Sequence, residues 1–103
     1  MRYSVRYKPA AAAEVANAIA WYSQPEVKQA EAFVRDLERT EAHLGAHPEL
    51  YQRVEDQIRR AVLRRFPYSL FYVIEQDLVV VLACARRIRS VTQSARAVQS
   101  CTY

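Results

Sequence analysis

Glycine is nearly missing from this chain: Gly45 is the only one in 103 residues, so no glycine-rich loop can cradle a phosphate. Cysteine is scarce too. Cys84, inside an apolar run, and Cys101, near the end, make neither a disulfide framework nor a metal-ligand spacing, and Cys84 reads as a small buried hydrophobe. No stretch approaches the roughly 20 apolar residues of a membrane span, and the segment from Met1 to Tyr7 has no apolar core of the length a signal peptide needs. The expectation is a cytoplasmic protein with no membrane partner. No Ser/His/Asp or Cys/His grouping has supporting context, and no cofactor is implied. Internal repeats, Gly/Ser linkers and low-complexity segments are also missing, which leaves one domain.

What is present is an ordinary globular composition, 51% hydrophobic and 25% charged, in a chain small enough to bury only roughly 60 to 65% of its unfolded surface. Marginal stability, improved by a bound partner, is the expectation. The net charge of +4 is unevenly spread. Residues 1–57 carry seven basic and nine acidic side chains, whereas residues 58–103 carry eight arginines against only Glu75 and Asp77. Lys8 and Lys28 are the only lysines. The remaining cations are planar guanidinium forks suited to two-point binding of phosphate or carboxylate, which favours an anionic partner over the plainer alternative of a solvated basic face.

Residues 2–7 alternate Tyr3, Val5 and Tyr7 with Arg2, Ser4 and Arg6, the period of a half-buried strand. Pro9 suits a first helical turn, and Ala11, Val15, Ala18, Ile19 and Tyr22 then recur at helical spacing, so a first helix runs to about Tyr22. Pro25 interrupts and can open a second helix, whose stripe of Val27, Ala30, Phe33, Val34, Leu37 and Leu44 is broken only by Glu41, with Asp36 among the residues placed on the wet side. Gly45 is expected as a left-handed C-cap, with Pro48 beyond it. After a loop over 48–56 come three strand-like runs, 58–66, 68–75 and 78–85, the last apolar on both faces. The fold class is α+β in the order β-α-α-β-β-β, a helical hairpin packed on a mostly antiparallel four-stranded sheet. Residues 1–85 make the domain, and 86–103 form a basic tail or a short helix, two readings the spacing of Ile88, Val91, Ala95 and Val98 does not separate.

The most informative segment pairs arginines twice, Arg59-Arg60 and Arg64-Arg65, within Ile58 to Phe66. Strand alternation puts Arg60 and Arg64 on one face and Arg59 and Arg65 on the other, near a sheet edge where guanidinium groups either line a groove or protect the edge. Ile58-Arg59-Arg60-Ala61, Leu63-Arg64-Arg65-Phe66-Pro67-Tyr68 and Leu70-Phe71-Tyr72 resemble the second-strand and third-strand signature of ParE-like toxins in the RelE/ParE superfamily. Ala18 to Tyr22, the second-helix residues Phe33, Leu37 and Glu38, His47-Pro48-Glu49-Leu50 and Val79 to Ala83 extend the likeness over roughly residues 1–85.

The resemblance implies the toxin of a bacterial type II toxin–antitoxin pair, held in a hetero-oligomer by a cognate antitoxin whose C-terminal segment wraps helices and sheet. ParE members poison DNA gyrase. RelE relatives enter the ribosome and cut messenger RNA, driving 2′-hydroxyl attack on the neighbouring phosphate with basic residues and an aromatic or acidic group. That chemistry needs a base, a cation and a donor for the leaving oxygen. Ser69 stands where the RNA-cutting relatives carry an arginine and Val62 where they carry a lysine, while His43 and His47 lie far from the arginines in sequence. No confident catalytic residue, metal site or enzyme assignment follows. The tail also departs from the family, reading Ala85-Arg86-Arg87-Ile88-Arg89 without its Asp-Pro and Trp. A toxin that binds gyrase is the leading expectation; the alternatives are a ribosome-dependent endoribonuclease acting on mRNA and an inactive toxin that only binds antitoxin. The candidate binding residues are Arg59, Arg60, Arg64, Arg65, Trp21, Tyr22, Arg86, Arg87 and Arg89. Trp21 and Tyr22 diverge by roughly 100° on a helix and cannot form one stacking platform, so core or groove packing suits them better.

Overall fold

The computed structural model of the protein describes residues 2–86. Along the chain come β1 (Ser4–Tyr7), α1 (Pro9–Tyr22), α2 (Ala30–Ala46), a 3₁₀ turn at Pro48–Leu50, β2 (Arg53–Glu55), β3 (Ile58–Val62), β4 (Tyr68–Glu75) and β5 (Leu78–Arg86). The strands form one sheet in the order β1-β5-β4-β3-β2. β1 runs parallel to β5, and the other neighbours are antiparallel. The sheet therefore has five strands where four were expected: β2, three residues long, forms inside the segment read as a loop and closes on β3 through a two-residue turn with Asp56 at φ 47. The residues carrying the tail's helical spacing lie outside the described residues.

Both helices pack on one face of the sheet. Phe33, Leu37 and Leu44 of α2 and Ala11 and Ala18 of α1 meet Ala61, Leu70, Tyr72, Val79 and Val81 in the main core. A second cluster, Ile58, Phe71, Val73, Leu82 and Ala83, gathers on the opposite face. A bulge in β5 explains why the apolar run has no clean alternation: Phe71 pairs with Ala83 and Tyr72 with Val81, so Leu82 has no partner across the ladder. Leu82 and Ala83 thus share the second cluster, and Cys84 returns to the main core. Beyond the end of β1, the Cys84 amide donates to the Glu14 carboxylate of α1 at 2.8 Å. Burial, with the Glu14 carboxylate adding to it, pushes the Cys84 thiol up to about 12.

Three expectations about the helices need correction. Pro25 does not open α2; it sits in a turn, Lys28 takes φ 53, and α2 begins at Ala30, so Val27 packs against the core from outside the helix. Gly45 is not a left-handed cap, because it lies inside α2 with an ordinary φ. Its reason is close approach: a Cβ there would meet the Tyr3 carbonyl oxygen at 3.2 Å, and the Gly45 carbonyl accepts the Tyr3 N–H at 2.7 Å. Asp36 is not on the wet side but fully buried. Glu41, which interrupts the apolar stripe, accepts a 2.8 Å hydrogen bond from the Tyr7 hydroxyl of β1. Burial first, and that carboxylate second, raise the Tyr7 phenol well above its ordinary range.

Candidate functional site

The arginine segment is shaped by Asp36. Its carboxylate accepts the backbone N–H groups of Arg64 at 3.2 Å, Arg65 at 2.7 Å and Phe66 at 3.1 Å, and an Arg39 N–H at 3.2 Å. Three successive amides aimed at one anion form a concave nest, so the chain curls after Val62 and does not continue as strand to Phe66. The expected alternation accordingly stops at Val62: Arg64 and Arg65 belong to a turn and not to opposite faces of a strand. Phe66 then closes an aromatic cluster with Tyr22 (4.9 Å between ring centroids) and Phe33 (5.4 Å), and Tyr68 stacks edge-on against the same two rings. The turn is held by its backbone at one end and by rings at the other. The guanidinium groups of Arg64 and Arg65 are left outside, exposed.

The candidate residues separate into distinct places. Arg59 points to the helix side of β3 and is committed to the fold, donating through Nη1 to the carbonyls of Tyr51 at 2.6 Å and Glu49 at 3.2 Å. Arg60 stands on the opposite face, since it pairs with Phe71 of the second cluster. Arg64, Arg65 and Arg86 gather at one end of the sheet, because the turn leads into Tyr68 and Tyr68 pairs with Arg86. α1 ends there too: Tyr22 is buried in the aromatic cluster, and Trp21, next in the helix, is 49% exposed. Arg87 and Arg89 lie outside the described residues. Ser69 is buried in β4 beside Val62.

One grouping had no sequence signal. Between the C-terminal half of α2 and the edge of β3 lies a groove of about 510 Å³ whose lining includes Thr40, Ala42, Ala46 and Val62. Arg39 and Arg64 border it, and so do His43, His47 and Tyr51. The His43 and His47 rings are 5.4 Å apart, and His43 Nδ1 lies 2.7 Å from the Tyr51 hydroxyl. Burial raises the Tyr51 phenol above its ordinary value, so the hydroxyl keeps its proton and either donates to Nδ1 or accepts from it, according to the tautomer. The imidazoles read as remote from the arginines are thus neighbours of Arg64. The fold alone brings them together, because Asp36 draws the turn onto α2. No group of three or more His, Cys, Asp or Glu side chains suited to a metal occurs among the described residues.

Residues 5–90 match the family model described as ParE toxin of type II toxin–antitoxin system, parDE. The chain belongs to the ParE toxin family. Its fold is similar to a chain of the chromosomal ParDE system from P. aeruginosa, with a TM-score of 0.72 and 19% identity over 84% of this chain and 98% of that one. A chain of the RelBE2 toxin–antitoxin complex from Mycobacterium tuberculosis is similar at a TM-score of 0.57 and 22% identity, over 84% of this chain and all of that one. No curated protein matches the sequence. The family and the two-helix, mixed-sheet architecture agree with the expectation from sequence; the fifth strand is the difference. No helix among the described residues is long and apolar enough to cross a membrane.

Proposed function

We propose that this ParE-family toxin acts by binding a protein target, DNA gyrase, and is silenced when a cognate antitoxin occupies its arginine-bearing rim. The family match over residues 5–90 carries the reading. Support for binding over cutting comes from the sheet end, where Arg65 and Arg86 are exposed cations without an acid–base group bonded to them among the described residues. Ser69, at the position of the RNA-cutting relatives' arginine, is buried and contributes no cation. Purified protein is expected to inhibit gyrase supercoiling and trap cleaved DNA, while transcripts in expressing cells stay intact. Antitoxin carboxylates would pair with the free guanidinium groups, so Arg60→Glu combined with Arg64→Glu is expected to weaken the complex about a hundredfold. Unchanged affinity in that double variant would remove the electrostatic basis of silencing.

A second reading, a ribosome-dependent endoribonuclease, is favoured by one observation: Arg39 and Arg64 border the same groove as His43, His47 and Tyr51. A cation and a base then line one groove, as cutting at a single phosphate would require. New cuts within codons of messenger RNA, lost in His43→Ala, together with undisturbed gyrase, would establish this reading in place of the first. Undisturbed growth at a confirmed protein level would exclude both and leave a toxin that only binds antitoxin.

A further inference from the structure

We infer that His43 and His47 together bind one divalent transition-metal ion of the zinc or copper type at the mouth of the groove between α2 and β3, with Tyr51 holding the His43 ring. The site is independent of which target the toxin acts on. Histidines four apart on a helix project from one face, the spacing by which helical sites chelate such ions. That spacing survives the helix end, because the His47 N–H donates to the His43 carbonyl at 2.8 Å and completes the last turn. An ion bonded to an imidazole nitrogen at about 2.0–2.1 Å sits roughly 3.2 Å from the ring centre, so a tetrahedral angle separates two such rings by about 5 Å. The two ring centres are 5.4 Å apart, already at chelating distance.

A ligating imidazole is ordinarily fixed through its other nitrogen, and Tyr51 supplies that hold. Its hydroxyl lies 2.7 Å from His43 Nδ1, and accepting the Nδ1 proton leaves the Nε2 lone pair for the ion. Tyr51 is itself fixed, its carbonyl taking the Arg59 guanidinium and its ring packed edge-on against buried Tyr72. Pro48, next to His47, is pinned as well, since its carbonyl accepts the Tyr72 hydroxyl. Both imidazoles are exposed, so an ion reaches them without opening the fold. The carbonyls at a helix C-terminus favour a cation. Arg39 and Arg64 border the groove and oppose one, but Arg39 is paired with Asp36 at 3.2 Å, which leaves Arg64 as the main repulsion. Imidazole selects zinc and copper over magnesium and calcium, which take oxygen ligands; water fills the positions that two histidines leave. An ion held there occupies the lone pair that the ribonuclease reading needs as a base, so metal binding and that chemistry exclude each other.

The test titrates the tag-free full chain with Zn²⁺ in a calorimeter and follows bound Cu²⁺ by electron paramagnetic resonance. One Zn²⁺ per chain is expected, with nitrogen couplings from two imidazoles in the Cu²⁺ spectrum. His43→Ala and His47→Ala each lower Zn²⁺ affinity about a hundredfold, because the chelate loses its intramolecular second bond. Tyr51→Phe keeps both nitrogens in the Cu²⁺ spectrum and lowers Zn²⁺ affinity about tenfold. Arg64→Glu raises it about threefold by removing the bordering positive charge. Zn²⁺ raises the unfolding midpoint of the wild-type chain and of neither histidine variant. A wild-type chain that takes up no Zn²⁺ at millimolar concentration overturns the site, and so does binding that persists unchanged in both histidine variants. Affinity that falls in His43→Ala and not in His47→Ala reduces the pair to one imidazole and overturns the chelate. Wild-type affinity in Tyr51→Phe overturns the role of Tyr51.

Discussion

Arg59 and Arg64 are five residues apart and lead opposite lives. Arg59 spends its guanidinium on two carbonyls, tying β3 to the 3₁₀ turn. Arg64 is held by its amide, and its side chain stands free at the groove. The same residue type is scaffold in one place and available surface in the other, and only the surrounding acceptors decide which. On the inner side of β3 and its turn, polar groups have partners within the chain; the guanidinium groups of Arg64 and Arg65 are exposed on the rim. Substitutions inside should therefore change stability and leave binding nearly untouched, and substitutions on the rim should do the reverse.

The sharpest attempt to break this contrast is Asp36→Ala. It strands three part-buried amides, and urea denaturation should show a loss of about 3 kcal/mol. A loss under about 1 kcal/mol would mean that water serves those amides equally well. Arg59→Ala comes next, at about 1.5 kcal/mol from two lost hydrogen bonds, with partner affinity unchanged within about twofold. If affinity falls in step with stability, the division between scaffold and surface is wrong.

A pH series extends the test to the interior. The Cys84 thiol, raised from 9.0 to about 12, keeps its proton in the folded chain over a range where the unfolded chain releases it. Its contribution is complete below pH 9 and declines as pH rises toward 12. In Cys84→Ala the alkaline loss of stability, followed by denaturant midpoints, should be shallower by about 1 kcal/mol per pH unit. The smallest effect concerns the β4–β5 turn, where Gln76 holds φ 58. Gln76→Gly should stabilise by about 0.5 kcal/mol, because glycine enters the left-handed region without the Cβ penalty.

Periodicity made the main elements legible. The Tyr68–Glu75 strand, the end of α1 at Tyr22 and the helical hairpin on the sheet all follow from local pattern. The arginine turn was less legible, since its shape depends on a carboxylate 28 to 30 residues away. A trace was present: Asp36 shares a helix face with Phe33, Leu37 and Thr40, all buried, so a charge stood inside the apolar stripe. β2 was too short to show a period, and the bulge at Leu82 erased the alternation of β5. The imidazole groove could not be read at all. Nothing in the chain order of His43, Tyr51 and Arg64 marks them as neighbours until the turn folds back onto α2.

Within the turn, the clasp at Asp36 grips main-chain amides alone. Positions 64 and 65 therefore owe nothing of their conformation to what their side chains are, and any residue that keeps its amide hydrogen can occupy them without loosening the loop. Proline, which lacks that hydrogen, is the exception. The side-chain chemistry of two adjacent exposed sites can therefore change while the scaffold beneath stays the same.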